Sequence, residues 1–184
     1  LYKEKKYLSC YELLKDVDTN DLTIELIKPI LDCIELIDIN QFVTETSKTE
    51  YTATAIALFD TAISLKPSEI SFYTRKAGLL AKLKENNTAV EVWKTAVEIN
   101  PDNFSLCMDA GSFAEKINKL SEAEYFYTHA IQINEKNPRV HVKLGDVFLA
   151  QKRSREAAGR YNKALQIKEN YDYALGHLGY LYES

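Results

Sequence analysis

No stretch of the 184-residue chain approaches the roughly eighteen uninterrupted apolar residues that a membrane-spanning helix needs, so no span is expected. Cysteine is scarce: Cys10, Cys33 and Cys107 are far apart and form no CxxC pair. That excludes a disulfide framework and a thiolate zinc site, and predicts reduced, partly buried thiols. The opening Leu1-Tyr2-Lys3-Glu4-Lys5-Lys6 has neither the apolar core nor the small-residue cleavage site of a secretory signal. It also lacks an initiator Met, so the sequence is expected to be a piece of something longer. There is no basic excess. The 23 Lys and Arg are interspersed with 27 Asp and Glu for a net charge of −4, which argues against the basic face that nucleic-acid binding requires. GxSxG, HExxH, GxxxxGK[ST] and GxGxxG are all missing, and no Ser, Cys or Lys has a neighbour that would activate it. His129, His141 and His177 show no metal-ligand spacing. No catalytic residue, cofactor or metal ion is therefore expected, and the expected location is intracellular, in the cytoplasm.

What the sequence does contain is ordinary in bulk and regular in detail. Apolar residues make up 46% and charged residues 27%, a balance that suits a folded chain. Ala62, Ala96, Ala130 and Ala164 are spaced 34 residues apart, as are Ala55, Ala89, Ala123 and Ala157. Phe59, Trp93, Tyr127 and Tyr161 keep the same step, and so do Leu65, Ile99, Ile133 and Ile167. Ala77, Gly111, Gly145 and Gly179 complete five columns with one period. Polar breaks in the middle and at the end of each period divide it into two short helices. Small residues belong where paired helices cross closely, and the aromatic residue, four after one Ala and three before the next, lies on the same helical face. A single pair cannot bury that face alone, so the pairs must stack.

This spacing predicts first helices over 70–83, 104–117, 138–151 and 172–183, and second helices over 88–100, 122–134 and 155–168. Upstream, a second helix over 49–66 pairs with one over 21–37 across an irregular segment, Asp38–Lys48, and a further helix over 4–15 begins the chain. Ser47-Lys48-Thr49-Glu50 and Ser121-Glu122-Ala123-Glu124 read as capping boxes opening second helices. Asn137-Pro138 reads as a helix start, and Pro67 and Pro101 fall just after helices have ended.

On these residues the chain resembles the tetratricopeptide repeat family. The Ala-x3-aromatic-x2-Ala run occurs four times, and the resemblance covers residues 70–171 as three units with partial matches on either side. It departs from the family where the early Trp is replaced by Tyr73, Cys107, His141 and Leu175, and Lys76 is odd for a core column. The resemblance implies an all-α fold, a right-handed superhelical solenoid of antiparallel helix pairs. It divides the chain into an N-terminal segment over 1–69, units over 70–103, 104–137 and 138–171, and a capping or truncated helix over 172–184.

It also implies a concave groove lined by the first helices: Ser71, Thr74, Arg75 and Gly78, then Ser105, Met108, Asp109 and Ser112, then Arg139, Val142, Lys143 and Asp146. The family's clamp for terminal carboxylates is matched by Arg139 and Lys143, but Thr74, Gly78 and Asp109 stand where it needs Lys and Asn. The candidate partner-binding residues are therefore Arg139, Lys143, Tyr173, His177 and Tyr180, where cations and aromatics coincide. The implied activity is that of a scaffold in a multiprotein complex, taking a protein or peptide partner that bears acidic and aromatic residues. The alternative is a regulatory or substrate-recruiting arm of a larger enzyme, such as a repeat-bearing glycosyltransferase or phosphatase.

Overall fold

The computed structural model describes residues 22–36 and 45–183, and among these every regular element is helical. They group into two compact units, one up to Glu85 and the other from Asn86 onward.

The first unit contains α1 (Ile24–Leu36), α2 (Glu45–Leu65) and α3 (Ile70–Lys82). Ile27, Leu31 and Ile34 form a stripe along α1 that packs on Tyr51, Ala55, Leu58, Phe59 and Ala62 of α2, with Phe72 and Leu79 of α3 closing the cluster. These spacings of three, four and seven residues place each set on one face of its helix. The Tyr51 hydroxyl enters this core because it donates to the Ile34 carbonyl at 2.9 Å. Lys76, odd as a core residue, buries its stem and places its ammonium on Asp60 of α2. Apolar packing and a charge partner are thus combined in one side chain.

The second unit contains α4 (Asn86–Ile99), α5 (Phe104–Lys116), α6 (Leu120–Ile133), α7 (Pro138–Ala150), α8 (Ser154–Ile167) and α9 (Asp172–Glu183). From α4 to α9 each helix packs against the next in chain order. The first such contact brings Trp93 of α4 to Phe113 of α5 with ring centroids 5.5 Å apart. All the buried alanines of the repeat columns in this unit, Ala89, Ala96, Ala123, Ala130, Ala157 and Ala164, are fully covered. Arg153 ties three helices together: it donates to Glu124 of α6 at 2.6 Å and to Glu156 of α8 at 2.8 Å, over the Phe148 ring of α7. The basic turn Lys152-Arg153-Ser154-Arg155 is therefore in part a structural staple.

Helix ends follow the sequence closely, with two corrections. Asn137 caps α7 by accepting from the Arg139 amide at 3.0 Å, with Pro138 in the first turn. Pro67 and Pro101 follow the ends of α2 and α4. Neither expected capping box opens a helix, however. Ser47–Glu50 lies inside α2, which already begins at Glu45, and α6 is preceded by Lys119 with no side-chain cap. The expected helix over 4–15 and the stretch 38–44 lie outside the described residues.

One feature of the turns carried no glycine to announce it. Lys84, Asn118 and Lys152, themselves 34 residues apart, all adopt positive φ, at 64°, 59° and 62°. They follow α3, α5 and α7 respectively. The amide of each, and that of the next residue, bond back into the last turn: Lys84 to Ala81 and Glu85 to Leu80, Asn118 to Glu115 and Lys119 to Ala114, Lys152 to Leu149 and Arg153 to Phe148. This is the left-handed helix termination usually given to glycine. A lysine there costs about 1 kcal/mol, while asparagine tolerates it better. Lys84→Gly and Lys152→Gly are accordingly expected to stabilise the chain by about 0.5–1 kcal/mol each, and Asn118→Gly by less. Urea unfolding checks this; destabilisation by either lysine replacement would contradict the turn geometry.

Candidate partner-binding groove

The first helices of the second unit carry the sequence-selected residues at repeated positions. On α5, Ser105 and Asp109 are exposed and Ser112 is half-buried; on α7, Arg139 is exposed, with Lys143 and Asp146 half-buried. Met108 and Val142, expected to line the groove, are instead 6% and 5% exposed and pack inside.

Lys143 is held at 3.2 Å from Glu115 of α5. That carboxylate also accepts the Tyr127 hydroxyl, which lies 3.1 Å from the Ser112 hydroxyl. One repeat later the pattern recurs: the Tyr161 hydroxyl donates to Asp146 at 2.9 Å, and His177 approaches the same carboxylate at 3.4 Å. The His177 imidazole stacks on the Tyr161 ring, with centroids 5.0 Å apart and planes 14° from parallel. Burial raises the Asp146 carboxyl above its ordinary pKa, against the opposing pull of Tyr161, His177 and Lys143. Burial likewise pushes up the Tyr127 and Tyr161 phenols, so both remain protonated donors.

Of the five candidate residues, Tyr173 and His177 share an open depression of about 420 Å³ with Asp172 and Gly176. Lys143 and His177 are engaged by Glu115 and Asp146, so each already has a polar partner within the protein. Arg139 is exposed in the first turn of α7, and Tyr173 and Tyr180 are 68% and 63% exposed on α9. Of the two acidic partners, Asp146 was read from the sequence as a groove residue, whereas Glu115 was missed. The only sequence signal of Glu115 is position, one turn after Gly111 in the column of small residues.

His141 and Cys107 occupy the same repeat column and are fully buried. Burial pushes the Cys107 thiol up to about 11, so it stays unreactive; Cys33 is half-buried, and Cys10 lies outside the described residues. His141 Nε2 lies 2.8 Å from the Glu135 carbonyl, which can only accept, so that nitrogen carries the proton. Burial lowers its pKa from the ordinary 6.5, only partly offset by that hydrogen bond. Below about 6.5 the unfolded ring takes up a proton more readily than the folded one, so stability is present at neutral pH and lost as pH falls. Urea unfolding at pH 7.5 and 5.5 is expected to show this decline in the wild type and a flatter profile in His141→Leu. Equal pH dependence in both would contradict the assignment.

Among the described residues no helix is long and apolar enough to cross a membrane, and no group of three or more His, Cys, Asp or Glu is arranged to hold a metal ion. Comparison with known proteins agrees with the resemblance read from the sequence: residues 70–103 match the family model of the tetratricopeptide repeat. Solved structures share the fold. MamA aligns at 19% identity over 87% of this chain and 81% of its own, with a TM-score of 0.58. The Arabidopsis OM64 TPR domain aligns at 23% identity over 64% and 96%, with a TM-score of 0.51. The first TPR of Spaghetti (RPAP3), bound to the HSP90 peptide SRMEEVD, aligns at 18% identity over 62% and 91%, with a TM-score of 0.51. No curated protein sequence matches the chain significantly. The fold is thus that of a tetratricopeptide-type helical repeat, an architecture that supports protein–protein interaction.

Proposed function

We propose that the chain is a non-catalytic scaffold that takes a peptide or helix of a partner protein in the groove formed by the first helices α5, α7 and α9. The units run over 70–103, 104–137 and 138–171, flanked by 1–69 and 172–184. Arg139, Lys143, Tyr173, His177 and Tyr180 contact the partner. The observation that carries this reading is the exposure of Tyr173 and Tyr180 on α9, with an open depression beside His177. Exposed tyrosines offer large apolar contact at little entropic cost, and an exposed Arg139 adds a planar donor for carboxylates. The partner segment therefore pairs acidic residues with an apolar or aromatic anchor. That a neighbour of the same fold is solved with the acidic peptide SRMEEVD fits a peptide as the ligand. Asp109, exposed on α5, would repel a terminal carboxylate and argues for a different peptide here.

A labelled peptide with an aromatic anchor between glutamates, titrated by fluorescence anisotropy, tests the reading. Arg139→Glu/Lys143→Glu is expected to bind about tenfold or more weakly, and wild-type affinity to fall as salt rises. Equal binding by a folded double variant would remove this patch as the site.

A further inference from the structure

Helix α8 and the turns that flank it carry a charge that the repeat does not require. Residues 152–168 contain six Lys and Arg against Glu156 alone, whereas the rest of the sequence has 17 against 26 acids. One repeat earlier, residues 118–134 contain Lys119 against Glu122 and Glu124. Ser121, His129 and Asn134 stand there in the places of Arg155, Lys163 and Lys168, and two repeats earlier the same places hold Asn87, Thr95 and Asn100. The helix pair therefore folds without these cations.

Stability does not account for them either. Arg155 lies in the first turn of α8, at the positive end of the helix dipole, where a cation is disfavoured. Lys152 is a lysine in the left-handed region. Arg153 is engaged by Glu124 and Glu156, and Lys163 meets Glu135 at 3.2 Å in an exposed pair that yields easily. Lys152, Arg155 and Lys168 are exposed, and among the described residues no carboxylate pairs with them. This face also stays open inside a continuing stack. Helix α6 is followed by α7, α8 and α9, yet Ser121, Tyr125, Thr128 and Gln132 remain exposed, in the places of Arg155, Gly159, Asn162 and Gln166.

We infer that α8 and its flanking turns dock an acidic segment of a second partner protein. Its carboxylates meet Lys152 and Arg155 at one end and Lys163 and Lys168 at the other. From Arg155 to Lys168 is about 20 Å at helical rise, the reach of about six extended residues. The exposed residues of α8 include no apolar or aromatic side chain, as an anionic membrane or a stacking nucleic acid would need. The acidic remainder of the chain repels a polyanion longer than the strip. No residue of the first helices takes part, so this surface is separate from the groove.

The test titrates the whole chain against fluorescein-labelled hexaglutamate at low salt, read by anisotropy. Saturable binding is expected, weakened about tenfold or more by Lys152→Glu/Arg155→Glu. Lys28→Glu/Lys82→Glu, exposed on the first unit and changing the net charge equally, is expected to weaken it no more than about twofold. The first variant should melt at least as high as the wild type, because an acid in the first turn of α8 suits the dipole, so lost binding reports docking and not unfolding. No binding up to about 1 mM hexaglutamate overturns the proposal, as does equal weakening by the two variants. Tighter binding of hexathymidylate, or of phosphatidylserine vesicles, that Lys152→Glu/Arg155→Glu abolishes would make a nucleic acid or a membrane the occupant and overturn the acidic protein segment.

Discussion

Gly145→Ala is expected to destabilise the chain by about 1–3 kcal/mol, while Gly159→Ala in the next helix stabilises it by about 0.5–1 kcal/mol. The substitution is the same; the surroundings decide the sign. A Cβ at Gly145 lies 2.5 Å from the Tyr161 ring, while nothing lies within 4 Å at Gly159. The Tyr161 ring cannot swing aside cheaply. It is fully buried, its hydroxyl is held by Asp146 and its face is stacked on His177. Gly145→Leu should cost still more. Equal effects at the two glycines in urea unfolding would mean that the close helix contact is misplaced.

The second large effect is expected at Tyr127. Tyr127→Ala removes a fully buried ring from between α5 and α6 and is expected to cost about 3–5 kcal/mol through lost burial and an unfilled cavity. Tyr127→Phe keeps the ring and loses only the hydroxyl that meets Glu115 and Ser112. Because Glu115 retains Lys143 as a partner, that change should cost about 1 kcal/mol. The two variants thus separate packing from hydrogen bonding at a position that recurs as Tyr161. If Phe were as damaging as Ala, the polar chain from Tyr127 through Glu115 to Lys143 would dominate.

The period of 34 made most of the fold legible. A Gly or Ala column in step with an aromatic column defines which helix faces meet, and the structure places Tyr127 on Gly111 and Tyr161 on Gly145 accordingly. Helix starts were less legible. Ser47 and Ser121 carry the composition of capping boxes, but α2 and α6 begin before them. In α6 the preceding turn already supplies backbone partners, as with the Lys119 amide bound to Ala114. The left-handed residues Lys84, Asn118 and Lys152 could not be read from residue type, because lysine rarely adopts that conformation and only their shared spacing marks them.

The groove was legible in outline and less so in charge. Arg139, Tyr173 and Tyr180 are exposed as the repeat register implies. Lys143 and His177 instead meet Glu115 and Asp146 from neighbouring helices. Such pairings join residues 28 or 31 positions apart and have no local signature. They also shape the function proposed: a partner's carboxylate must compete with Glu115 for Lys143, whereas Arg139 and the exposed tyrosines are the more accessible anchors.

Docking of a partner on the first helices is the central claim, and amide hydrogen exchange tests it most directly. The chain would be compared alone and in complex with a partner captured from native extract. Slower exchange concentrated in residues 138–150 and 172–183, with the second helices α4, α6 and α8 unchanged, is the result expected. Protection confined to α4, α6 and α8, with residues 138–150 and 172–183 exchanging as in the free chain, would contradict it.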